Sequence, residues 1–188
     1  MIRDYVFHGL NILVRKAKIF SLKLRHGNKI DLKWNDKISW SVKIRINGDG
    51  KVVFGDNVEI RENVIINVSD GGLIEFGDRV FLNDGCMLNS RKKITIGADT
   101  MFGQAVKMYD HDHDYKSVNF KSDFKCGEIC IGNRVWICSD SIILKGCSVG
   151  DDSVIAATTV LRECVEPKLL YYTKKTYGNR CVEKNNHC

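Results

Sequence analysis

The run Tyr109-Asp110-His111-Asp112-His113-Asp114 puts two imidazoles among three carboxylates. With an unperturbed pKa of about 6.5, an imidazole can take a proton from a hydroxyl near neutral pH. A neighbouring carboxylate would fix its tautomer and stabilise the imidazolium, and Asp110, Asp112, Asp114 and Glu128 are all candidates for that assisting role. In an extended segment His111 and His113 fall on the same side, so the pattern leaves either as the base. The competing chemistry is zinc, because Cys126 and Cys130 follow and imidazole and thiolate are its usual ligands. The spacing of those cysteines is loose, and no metal is expected.

What could hold such a run in place is visible as a repeat. Read in sixes the chain gives FGDNVE, IRENVI, INVSDG, then FGDRVF, LNDGCM, LNSRKK, then IGADTM, FGQAVK, MYDHDH. After an interruption it resumes as IGNRVW, ICSDSI, ILKGCS, VGDDSV, IAATTV, LRECVE. Every first position is bulky and apolar, from Phe54 and Ile60 to Ile155 and Leu161. The fifth is mostly small or β-branched, as at Val58, Cys86, Thr100, Ser141 and Thr159, and glycine recurs at the second. A period of six fits neither an amphipathic helix nor a hairpin strand. It is a solenoid period in which three short strands and their corners make one triangular coil, and stacked coils bury the first positions. Glycine at the second position suits a sharp corner. The segment DHDHDYKSVNFKSDFKCGEIC cannot be coil core and must project as a loop, spanning about 109–128, where a rigid scaffold usually carries its chemistry.

Upstream the pattern changes. Val6, Leu10, Leu13, Val14, Ala17, Phe20 and Leu24 recur at three-to-four spacing between basic residues, which predicts one or two short helices. Such a segment can cap the open end of the solenoid, present a basic face to anionic lipid, or do both. Residues 1–45 carry eleven Lys and Arg against three acidic residues, a net of +8 in a chain whose total is +6. The expected organisation is a basic N-terminal cap over 1–40, a β-helix over 41–166 and a C-terminal tail over 167–188. Eight cysteines with no secretory leader ahead of them read as reduced thiols in a cytoplasmic protein, peripheral to the inner membrane face if the basic segment docks there. Cys86, Cys130, Cys138, Cys147 and Cys164 are expected as core fillers. No run is long enough to span a membrane.

With the hexads and the histidine-bearing loop in view, the chain resembles the hexapeptide-repeat acyltransferases, above all the maltose and galactoside O-acetyltransferases and the enzymes that acetylate capsular and lipopolysaccharide sugars. The most specific stretch is IGNRVWICSDSIILKGCSVGDDSVIAATTV. The resemblance implies a left-handed parallel β-helix, a homotrimer, acetyl-CoA as co-substrate and a sugar or glycan acceptor, with no nucleic acid. It implies His113 as the base, because the family's pocket asparagine, thirty residues earlier, falls ungapped on Asn83; Tyr109 sits beside that pocket. The tryptophan of the cofactor groove falls on Trp136. The position whose backbone N–H faces the thioester falls on Ser139, with Ala157 in the groove beside it, and Arg162 and Arg180 are basic residues available to meet the phosphates of CoA. Departures are Cys138 for a glycine, Ala156-Ala157-Thr158 for Gly-Ala-Gly, and Arg180-Cys181 for Pro-Ala.

The function expected is therefore acetyl-CoA-dependent O-acetylation of a sugar hydroxyl in a cell-surface polysaccharide or its precursor. N-acetylation of an amino sugar or a xenobiotic is the alternative. A non-catalytic scaffold for glycan assembly is the reading from a different class.

Overall fold

The computed structural model describes residues 2–173, with side chains from residue 12 onward. Its body is a parallel solenoid whose strands pass in turn through three sheets. The first sheet stacks Ile30–Asp31, Lys51–Phe54, Leu73–Phe76, Lys93–Ile96, Ile129–Ile131 and Ser148–Val149. The second runs from Lys37–Ile38 through Met101–Phe102, Trp136–Ile137 and Val154–Ile155 to Leu170–Tyr171, seven strands in all. The third runs from Lys43–Ile46 through Met87–Ser90 and Lys107–Tyr109 to Val160–Leu161. Pairing is in phase, with Phe54 beside Phe76, Ile96 beside Ile131 and Met108 between Leu88 and Ile143.

All fifteen first-position residues are buried, none more than 4% exposed, and so are the small fifth-position residues from Val58 to Thr159. Phe54 and Phe76 stack within this column, ring centroids 4.8 Å apart. The corner chemistry differs from expectation. The left-handed backbone falls on the fourth position, at Asn57, Arg79, Asp99, Arg134 and Asp152, with φ between 54° and 61°. The second-position glycine answers to close approach instead: a Cβ on Gly97 would lie 2.5 Å from the Gly132 carbonyl of the next coil. Corner side chains add rungs between coils. Asp78 Oδ1 accepts the Asp56 N–H (2.8 Å), and Asp151 Oδ1 accepts the Asn133 N–H (2.8 Å).

Both expected boundaries shift. The solenoid starts at Ile30 rather than 41, because Leu32, Ile38 and Ile44 already keep the six-residue phase and are buried. Polar second positions (Lys33, Ser39, Arg45) and an acid at the fifth, Asp36, disguise that coil. Asp36 is buried there, accepting the N–H groups of Lys33 (2.7 Å) and Val58 (2.9 Å). At the other end Leu170–Tyr171 pairs with Val154–Ile155, so coil structure runs into the segment expected as tail.

Of the five cysteines expected in the core, Cys86 and Cys147 are buried. Cys130 and Cys164 are exposed and Cys138 is half-buried, since none of these three occupies a first or fifth position. The N-terminal segment is one helix, Ile2–His26, lying on the first coil. It packs through Ile19 and Leu22, while Lys18 Nζ donates to the carbonyls of Trp40 and Val42, both at 2.9 Å. Leu13, Phe20 and Leu24 of the expected stripe face solvent, at 66%, 60% and 77% exposure.

Candidate active site

The long interruption folds as a β-hairpin arm. It leaves the third sheet after Tyr109, and His111–His113 pairs antiparallel with Phe124–Cys126 before the chain re-enters the first sheet at Ile129. Asp110 anchors its root. The carboxylate is fully buried and accepts hydrogen bonds from Ser90 Oγ (2.7 Å), Arg91 N (2.8 Å), Lys92 N (2.8 Å) and His111 Nδ1 (2.8 Å). Burial is the largest influence on its pKa and pushes it up, but these hydrogen bonds together hold it below the usual value. Gly127 N closes the root by donating to the Asp110 carbonyl (2.8 Å).

The two histidines are thereby distinguished. His111 is largely enclosed and tied to Asp110. His113 lies exposed further along the arm, where its Nδ1 meets the Phe120 carbonyl at 2.9 Å. Because a carbonyl only accepts, that contact places the proton on Nδ1 and leaves the Nε2 lone pair free. The His113 ring rests on Phe124 (centroids 4.4 Å apart), and the Arg91 guanidinium lies over Phe124 at 3.7 Å.

The other proposed assistants go elsewhere. Asp112 pairs with Lys145, Asp114 with Lys125 (2.9 Å) and Glu128 with Lys92 (3.5 Å). Lys125 holds the Asp114 carboxyl below its ordinary pKa. Among the described residues no group of three or more His, Cys, Asp or Glu is arranged to hold a metal.

The cofactor-groove residues lie along a different edge. Asn83, the residue expected in the acceptor pocket, Gln104, Ser139 and Ala157 occupy successive corners after the second sheet, and Trp136, 47% exposed, sits on that sheet between Met101 and Val154. These corners touch closely. Ser139 Oγ accepts the Gln104 N–H (3.1 Å) and its carbonyl accepts the Thr158 N–H (3.0 Å), while among the described residues no acceptor meets the Ser139 N–H. Asn83 Oδ1 accepts the Asp84 N–H (2.9 Å). Tyr109 ends the Lys107–Tyr109 strand of the third sheet, its hydroxyl 3.6 Å from Met87 Sδ. Arg162 is exposed on the arm's edge rather than beside Trp136 and Ser139, and Arg180 lies outside the described residues. One chain thus brings His111, His113 and Tyr109 to one edge and Asn83, Ser139 and Ala157 to another.

Residues 131–163 match the family described as bacterial transferase hexapeptide (six repeats). A putative lipopolysaccharide biosynthesis O-acetyl transferase, WbbJ of Escherichia coli, is 31% identical over 174 residues, covering 86% of this chain and 76% of its own length. The chain belongs to the hexapeptide-repeat acyltransferases. YvoF of Bacillus subtilis, a putative acetyltransferase, is 26% identical over 97 residues, covering 47% of this chain and 53% of the relative. AntD, an N-acyltransferase from Bacillus cereus solved with dTDP and 3-hydroxybutyryl-CoA, superposes with a TM-score of 0.65 at 18% identity, over 74% of this chain and 76% of that one. At that identity the likeness is one of fold, the left-handed β-helix of the hexapeptide-repeat acyltransferases.

Within this acyltransferase, the partner of His111 was among the carboxylates expected, while sequence reasoning missed those of His113 and of the Asp110 root. Ser90, Arg91, Phe120 and Phe124 shape the arm, and the usable signal was the flanking of a polar turn by HDH and FKC, two short segments able to pair. A backbone carbonyl as tautomer-fixer leaves no trace in sequence.

Proposed function

We propose that the chain transfers an acetyl group from acetyl-CoA to a hydroxyl of a sugar in a cell-surface polysaccharide or its precursor, with His113 as general base. The observation that carries this reading is the Nδ1 contact of His113 with the Phe120 carbonyl, which presents a free Nε2 on an exposed arm. His113 accepts the hydroxyl proton through Nε2 as the oxygen attacks the thioester carbonyl, and the contact at Nδ1 steadies the imidazolium. Acetyl-CoA supplies the activated acyl group; as the C–S bond breaks, the proton held on Nε2 passes to the sulfur and CoA leaves as the thiol. The Ser139 N–H is the donor for the charge that develops on the thioester oxygen, a role worth about 3–4 kcal/mol in comparable sites. Exposed Trp136 flanks the pantetheine, and the small side chains of Ser139, Ala156 and Ala157 leave the corner open.

Since the base and the groove lie on different edges of one chain, the reading includes a homotrimer in which the arm of one subunit meets the second-sheet corners of its neighbour. WbbJ's description supports a glycan hydroxyl as acceptor.

The test is acetyl transfer across a panel of sugars carrying matched hydroxyl and amine acceptors, with His113→Ala and His111→Ala in parallel and light scattering on each protein. The expected product is an ester, with kcat falling roughly 10²–10⁴-fold in His113→Ala. Acetylation of the amine alone, undiminished activity of His113→Ala, or an active monomer would each overturn the reading.

A further inference from the structure

The face of the N-terminal helix turned away from the solenoid is apolar, and nothing described covers it. Ile19 and Leu22 point into the first coil. On the opposite side Leu13, Ala17, Phe20 and Leu24 follow at four-, three- and four-residue intervals, which keeps them in one stripe, and all four are exposed. The sequence carries that spacing back to Leu10 and Val6. Capping the solenoid therefore accounts for one side of the helix and leaves the other unexplained.

The flanks of the stripe name its partner. From Ile12 to Lys29 there are six Lys and Arg and no acidic residue. Lys16 and Arg25 are exposed on either side of the stripe. Two exposed tryptophans of the first coil border the helix, Trp34 with Lys23 Nζ 5.1 Å from its ring and Trp40 with Lys18 Nζ 5.4 Å from its ring. Apolar stripe, cationic margins and amphipathic aromatic side chains are together what an interfacial helix uses to lie in the headgroup plane. The last described strand of the second sheet stands six strand spacings away, ~29 Å, so the far end of the solenoid is remote from this face.

We infer that this end of the molecule docks on an anionic bilayer surface, with Leu13, Phe20 and Leu24 entering the headgroup–acyl boundary and Lys16, Lys23 and Arg25 meeting lipid phosphates. Docking is separate from acetyl transfer and uses none of the residues assigned to it. Each basic residue near such a surface raises the partition roughly fivefold, and salt screens that part. The insertion of Leu13, Phe20 and Leu24 contributes the rest.

The test is flotation of the full chain with vesicles of phosphatidylcholine alone or mixed with phosphatidylglycerol, at low and high salt. Wild type is expected to float with the anionic vesicles at low salt and to stay behind with neutral ones. The triple variant Leu13→Ser, Phe20→Ser, Leu24→Ser is expected to lose roughly 100-fold in partition. Its urea midpoint is expected to hold, because none of the three touches the core. Charge reversal by Lys16→Glu with Arg25→Glu is the second variant, expected to abolish the preference for anionic vesicles. Equal flotation of the triple variant and wild type, or no difference between neutral and anionic vesicles, would overturn the inference. So would a fall in oligomeric state in the triple variant, which would assign the stripe to a second copy of the chain.

Discussion

Replacing Asp110 by asparagine tests how the arm is fixed to the solenoid. The wild-type carboxylate takes four donors, two of them backbone N–H groups of the Arg91–Lys92 corner. Asparagine keeps one acceptor oxygen and turns the other into a donor. If its oxygen faces Arg91 and His111, the amide nitrogen opposes the Lys92 N–H. If it faces Ser90 and Lys92, His111 must change tautomer and the short contact with Arg91 is lost. Either way at least one charge-assisted hydrogen bond goes, and such bonds contribute roughly 1.5–3 kcal/mol each. With the remaining bonds losing their ionic character, the expected cost is about 2–4 kcal/mol, or roughly 4–16 °C in melting temperature for a chain of this size. Urea unfolding across pH adds a second check. The folded Asp110 pKa lies below its unfolded value of about 3.9. Its stabilisation is therefore complete above that value and is lost as pH falls through the folded pKa. The gap between wild type and Asp110→Asn should be wide at neutral pH and should narrow in acid. Equal urea midpoints at neutral pH, or a gap that grows on acidification, would refute this account of the root.

Phe124→Ala removes the ring between His113 and Arg91; kcat for acetyl transfer is expected to fall about tenfold with the fold intact by circular dichroism. Gly97→Ala would press a methyl group against the Gly132 carbonyl, costing roughly 1–3 kcal/mol in a urea melt. Alkylation mapped by mass spectrometry should label Cys126, Cys130 and Cys164 in the folded protein and spare Cys86 and Cys147 until denaturant is added. Burial lifts the Cys86 thiol to about 11, which withdraws its thiolate as well as its access.

Much of the solenoid was legible because the first position of each hexad in a stacked coil holds a bulky apolar residue, whatever the rest of the hexad does. Leu32, Ile38 and Ile44 obey that rule, yet Trp34, Trp40 and Asp36 beside them look nothing like a coil. The first turn could be found only by trusting the phase over the composition. The helix taught the reverse lesson: three-to-four spacing marks a face, but Ile19 and Leu22 compete with Leu13, Phe20 and Leu24, and only tertiary contact shows which side packs. The carboxylates around the histidines were equivalent in sequence. Burial and the Arg91–Lys92 corner single out Asp110, and they give it to His111 while a carbonyl serves His113.

The arm departs after Tyr109 and returns at Ile129, and across that gap Ile94, Thr95 and Ile96 still meet Ile129, Cys130 and Ile131 rung for rung. Inside it the root, Asp110 with Gly127, is tied to the coils, and the stack registers nothing of the arm's tip. A hairpin of another length or composition could be grafted between the same two anchor points without retuning the prism beneath. The make-up of the arm and the foldability of the coils are in this sense separable properties of one chain.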